Sequence, residues 1–187
     1  MKRRCLFCLS VFLSVVAGLV MPQEGACTIG KQMTLSELVQ KASLIVTGKV
    51  ESIRSEWNDE HSMIFSYIVI SPDSLLKGSA SEGKITLRLL GGTVGKITTI
   101  VLGNPWFEEG EEVLLFLRPR TKKPSERFFI VVGSAQGKFH IETVRGSKVA
   151  TRDLSQTDFI GPCKCRLAEG PVPLSELQRL IEGHLKE

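Results

Sequence analysis

Histidine is scarce in this chain: His61, His140 and His184 are the only three in 187 residues, and they fall in three separate segments. None belongs to a His-Glu-x-x-His helix, which excludes the zinc-hydrolase signature in which two histidines one turn apart share a face with a glutamate base. No run of Lys and Arg is interleaved with aromatic residues, so nothing marks a nucleic-acid surface, and no nucleic-acid partner is expected. The segment LLGGTVGKITTI (Leu89 to Ile100) has the glycines and lysine of a phosphate loop but not its spacing. Leu90 stands where the first glycine is needed, and Ile97 follows Lys96 where a hydroxyl must reach magnesium, so no nucleotide is expected. In Gly133-Ser134-Ala135-Gln136-Gly137 the serine holds the second position rather than the middle one of a nucleophile elbow, which predicts a structural turn. No Asp or Glu stands alone in an apolar setting that would raise its pKa as glycoside chemistry requires. The expectation is a non-enzymatic protein with no catalytic residues, no metal site and no cofactor.

What is present begins with Lys2, Arg3 and Arg4 followed by the apolar run Cys5 to Met21, the order of a secretory signal. This places a signal peptide at 1–26 and predicts export to the periplasm, envelope or extracellular space. The alternatives are an uncleaved membrane anchor and lipidation of Cys27, although Glu24 spoils the box that precedes a lipidated cysteine. Loss of Lys2, Arg3, Arg4 and Glu24 lowers the formal charge from +4 to about +2, so the basic balance is partly a targeting effect. Of five cysteines, Cys27, Cys163 and Cys165 then remain in an oxidising compartment. Cysteines separated by one residue bridge each other only with strain, so Cys27 is expected to pair with Cys163 or Cys165.

Past residue 27 the apolar pattern has period two. Leu44 to Ile53, Met63 to Ser71, Lys84 to Leu90, Lys96 to Leu102, Glu112 to Arg118, Arg127 to Gly133 and Lys138 to Val144 read as strands bounded by Gly, Pro, Ser or charged turns. Seven such runs without a long helix between them predict a mostly β domain at 27–160, a small closed or nearly closed antiparallel barrel, because closure removes exposed edges. Thr34-Leu35-Ser36-Glu37 is a capping box that opens a short helix through Ala42. A tail at 161–187 ends in an amphipathic helix whose Leu174, Leu177, Ile181 and Leu185 share one face. Gly91, Gly92 and Gly95 are then turn glycines between strands. Glu108, Glu109 and Glu111 read as a solvated loop leading into a buried strand; as nearly consecutive carboxylates they lack the alternate spacing of a calcium loop.

The ordered set ASLIVTGKV, SLLKG, LLGGTVG, GNPWFEEGEEVLLFLRP and VVGSAQGKF, from Ala42 to Phe139, resembles a widespread group of exported bacterial proteins that mostly carry no assigned function. A cysteine near the mature terminus followed by ASLIVTGKV is also similar in pattern to netrin-like domains, including the tissue inhibitors of metalloproteinases. That resemblance implies an OB-type barrel, and a role for the N-terminal amine and carbonyl of Cys27 at a protease's zinc. The chain departs from those inhibitors in having Cys27-Thr28-Ile29 at that position, with its Cys-x-Cys at Cys163 and Cys165.

Two functions of different classes follow. One is an exported binding module whose partner is an envelope or extracellular protein, a protease in the inhibitor version. Its candidate contacts are Trp106 and Phe107, large apolar residues that strand alternation does not explain, together with Cys27. Trp106 alternatively plugs the barrel end. The rival is an exported hydrolase or metalloprotein, with Cys163, Cys165 and His184 as the conceivable soft-metal set.

Overall fold

The computed structural model describes residues 28–79, 83–120, 128–160 and 170–186. The chain is mostly β with two helices, and its largest sheet is partly closed into a ring. In chain order the strands are β1 (Thr28–Lys31), β2 (Leu44–Trp57), β3 (Ile64–Lys77), β4 (Ile85–Leu90), β5 (Gly92–Val94), β6 (Ile97–Thr99), β7 (Glu112–Arg120), β8 (Phe128–Val131), β9 (Lys138–Val144), β10 (Ser147–Thr151), β11 (Thr157–Ile160) and β12 (Val172–Pro173). Helix α1 (Leu35–Lys41) precedes β2, and helix α2 (Leu174–Leu185) ends the fold.

The eight-stranded sheet runs β12-β10-β9-β7-β2-β3-β4-β8, and β8 also pairs with β7. Strands β7, β2, β3, β4 and β8 therefore form a ring. The two long strands β2 and β3 pair antiparallel, with register shifts at Ile45/Val46, Thr47/Gly48 and Val50/Ser52. Such irregularities bend and twist a strand, which is what wrapping a sheet on itself requires. The seam is short: β4 meets β8 in parallel through the single pair Leu87↔Phe129.

Alternation along β7 divides the core in two. Val113, Leu115 and Leu117 face the ring interior with Leu44, Val46, Val50, Ile68, Ile70, Ile85, Leu87 and Phe107. Leu114 and Phe116 face outward, where Ile45, Phe139 and Ile141 complete a surface covered by Leu35, Leu38 and Val39 of α1 and Leu177 and Ile181 of α2. Residues Val113 to Leu117 are all fully buried, so this strand reads as a continuous apolar run rather than an alternating one. Leu177 and Ile181 are fully buried and β12 pairs with β10, so the C-terminal helix packs against the sheet.

The start of α1 follows from its sequence. Thr34 accepts from the Glu37 N–H at 3.1 Å, and Glu37 accepts from the Thr34 N–H at 2.8 Å, so two otherwise orphaned donors are satisfied reciprocally. That backbone bond from Thr34 is the main reason the Glu37 carboxyl is held below its usual range. The Gly133–Gly137 segment is a structural turn, as the sequence predicts: a 3-10 turn at Ser134–Gly137 leads straight into β9. From it the buried Gln136 accepts from the Met33 N–H at 2.7 Å and donates to the Lys31 carbonyl at 3.2 Å, pinning the segment before α1.

Several strand expectations need correction. The run Lys96 to Leu102 is strand only at Ile97–Thr99, and it pairs with the unexpected β5 in a separate hairpin turned at Gly95 and Lys96. Gly95 is a turn glycine with φ 61°, but Gly92 is not. It opens β5 at φ 134°, and a Cβ there would lie 2.3 Å from Ser66 Oγ and 2.4 Å from Ser55 Oγ, so it allows β5 to lie against β2 and β3. Around Gly95 a Cβ meets nothing within 4 Å. Gly95→Ala is therefore expected to cost only the left-handed penalty of about 1 kcal/mol. Gly92→Ala adds a clash to its backbone strain and is expected to cost about 2–3 kcal/mol. Urea unfolding of the two variants checks this; equal midpoints would remove the close-approach explanation.

Candidate functional site

The loop between β6 and β7 carries the sequence-predicted contacts, and its residues alternate sharply in exposure. Pro105 is buried, Trp106 is 74% exposed and Phe107 is 7% exposed. Phe107 fills the ring interior and is the residue that plugs it. At that exposure it offers a partner far less surface than Trp106 does. Trp106 projects from the loop instead. Cys27, Cys163 and Cys165 lie outside the described residues, so the pairing expected among them and any role for Cys27 do as well.

Trp106 is displayed on a braced segment. Its carbonyl accepts from the Lys138 ammonium, whose nitrogen also stands 4.6 Å from the centroid of the Phe107 ring. A cation over an aromatic face in this setting contributes about 0.5–2 kcal/mol. On the upstream side, the Ala135 N–H donates to Gly103 O at 3.1 Å, and Asn104 Nδ2 donates to Leu90 O at 2.9 Å. Downstream, the Gly110 N–H and Val50 O, and the Val50 N–H and Glu111 O, pair at 2.8 Å each. Glu109 accepts from the Ile53 N–H at 2.9 Å. The loop is thus tied to β2, β4, β9 and the 3-10 turn on all sides of the indole.

Beneath it lies a charged cluster that sequence reading missed. The sequence predicts a solvated Glu111, yet its side chain is only 8% exposed, and Lys138 opposite is 13% exposed. Glu111 Oε1 accepts from Lys138 Nζ at 2.5 Å and lies 2.9 Å from His140 Nδ1, while Oε2 accepts from the Glu108 N–H at 3.1 Å. Each carboxylate oxygen is therefore occupied, which makes Glu111 a clamp on the loop. His140 does sit on the polar side of β9, 45% exposed at its side chain, between buried Phe139 and Ile141. Nearby Asp153 is held below its usual range chiefly by hydrogen bonds from the Ser155 side chain and backbone, with a smaller contribution from Lys138. The only sequence signal for the cluster was that Lys138 and His140 share one phase of a strand.

Among the described residues, no group of three or more His, Cys, Asp and Glu converges as a metal site would require; His61 lies in the β2–β3 turn, His140 on β9 and His184 on α2. No described helix is long and apolar enough to cross a membrane. A further polar feature lies on the outer face of β2, β3 and β4, an open cleft of about 450 Å³ that includes Arg54, Tyr67 and Phe128. Compared with known proteins, the chain matches no protein-family model and no curated protein.

Proposed function

We propose that this chain is an exported, non-enzymatic binding module, an OB-type barrel that engages a protein of the envelope or extracellular space through Trp106. The observation that carries the reading is the indole, 74% exposed between two buried neighbours on a loop held by backbone bonds and by Lys138. An exposed aromatic on a rigid support loses little conformational entropy on binding, which is what a central interface anchor requires. The ring of β7, β2, β3, β4 and β8 supports the barrel assignment, since five strands wrapped around one core with a short seam is the OB arrangement. The basic and apolar order of residues 2–21 supports export.

Trp106→Ala tests the proposal. Because the side chain is exposed, the variant should unfold within about 0.5 kcal/mol of the parent. Affinity capture of the partner from the native envelope fraction should weaken by about 2 kcal/mol, or thirtyfold. Unchanged capture, or loss of the fold, would remove Trp106 as the anchor.

A further inference from the structure

The outer face of the ring carries a second constellation that shares no residue with the Trp106 loop. Strand register places Ser52, Arg54 and Glu56 of β2 opposite Val69, Tyr67 and Phe65 of β3. Thr86 and Arg88 of β4 lie opposite Val69 and Tyr67 from the other side. The intervening Ile68, Ile70, Ile85 and Leu87 point to the interior, so this set faces out. At β8 the same alternation sends Phe129 inward and leaves Phe128 on the outside. The result is the cleft of about 450 Å³, lined by Ser52, Arg54, Glu56, Tyr67, Thr86 and Phe128 among others.

Arg54 in its lining and Arg88 beside it lean on aromatic rings. The Arg88 guanidinium carbon is 4.0 Å from the Phe65 centroid and 5.7 Å from those of both Tyr67 and Phe128, which themselves meet edge-on at 5.3 Å. Arg54 stands 5.7 Å from the Tyr67 centroid. Arg88 Nε is buried without a hydrogen-bond partner, and among the described residues no carboxylate pairs with this guanidinium. Among the described residues Arg54 is paired with Glu56 at 3.4 Å, both well exposed, a contact that solvent screens. Two guanidiniums thus stand against a half-buried aromatic surface, with Glu56 the one carboxylate in the lining of the cleft.

We propose that this cleft binds a carboxylated sugar of the uronic-acid type within a glycan. A carboxylate matches the planar fork of a guanidinium; Arg54 in the lining and Arg88 beside it, against the Tyr67 and Phe128 rings, supply two of them. The faces of Tyr67 and Phe128 suit the C–H side of a pyranose ring. Ser52, Thr86 and Glu56 supply acceptors for its hydroxyls, and an ionised Glu56 can only accept. An acidic peptide is disfavoured at the centre of the cleft, where β3 is paired on both sides and offers a peptide backbone no open ladder to join.

The test titrates the purified protein with trigalacturonate, its fully methyl-esterified form, an aspartate-rich peptide and an oligothymidylate, followed by amide chemical shifts. Saturable binding of trigalacturonate is expected, with shifts centred on residues 52–56, 65–69 and 86–88. Esterification and Arg88→Gln should each weaken it by about tenfold or more. Arg54→Gln should weaken it about fivefold, and since that side chain is exposed the variant keeps its fold and decides the matter if Arg88→Gln does not. No saturable binding, equal affinity for the ester, indifference to Arg54→Gln, or tighter binding of the peptide or oligothymidylate would overturn the proposal.

Discussion

Glu111→Ala is expected to destabilise the domain by about 3–5 kcal/mol, because it strands an ammonium in the protein interior. Lys138 is 13% exposed at its side chain and lies against Phe107, so water reaches it poorly once its counter-charge is gone. The Glu108 N–H loses its acceptor in the same step. The remaining bond from Lys138 to the Trp106 carbonyl offsets part of this, which points to the lower end of the range. Urea unfolding should show the midpoint fall with little change in slope. The double variant Glu111→Leu, Lys138→Met should recover to within about 1 kcal/mol of the parent, since an apolar pair of similar volume carries no desolvation cost. It would still release the Trp106 carbonyl, so partner capture should weaken while stability returns. Equal destabilisation in the single and double variants would mean that packing, not charge, is what Glu111 supplies.

Phe116→Ala is expected to cost about 3–5 kcal/mol through the cavity it leaves. The ring is fully buried on the outward side of β7, with its centroid 6.0 Å from that of Phe139. Helices α1 and α2 cover this cluster, and neither can readily collapse into the gap: the capping box and Gln136 fix the lead into α1, while β12 fixes the lead into α2. The loss should therefore show locally as well as globally, as faster amide exchange in residues 174–185. Leu115→Ala, one residue earlier on the same strand, empties the ring interior instead and should leave that segment's exchange tied to global unfolding. If both variants raise exchange in α2 alike, the two-sided core described for β7 is wrong.

Much of this architecture was legible locally. The capping box at Thr34 and Glu37, the apolar face of Leu174, Leu177 and Ile181, and the strands at β2, β7 and β9 each follow from neighbours a few residues apart. What was not legible depends on residues far away in sequence. Nothing near Glu111 marks it as the carboxylate that turns inward; its burial is decided by Lys138 and His140 on another strand. Trp106 and Phe107 are adjacent aromatics, and only the ring core determines that Phe107 enters and Trp106 does not. Gly92 resembled its turn neighbours because the crowding that demands a glycine comes from Ser55 and Ser66 on two other strands. The outer-face aromatics do carry a sequence signal: Phe65 and Tyr67 alternate with buried isoleucines on β3, and Arg88 occupies the same phase on β4.

The parallel pairing of Thr28–Lys31 with Thr157–Ile160 bears on the order in which the molecule assembles. A chain that emerges from its N-terminus presents the first of these strands at once and the second only after the whole ring has been made. Until then the early strand has open backbone groups and no mate. Its docking is a contact of very large sequence separation, the kind that slows folding most, because loop-closure entropy must be met before any bond rewards it. The hairpin of β2 and β3, adjacent in sequence and paired along most of their length, can form while synthesis continues. Assembly is therefore expected to run from the middle of the chain outward, with the strand made first among the last to find its place.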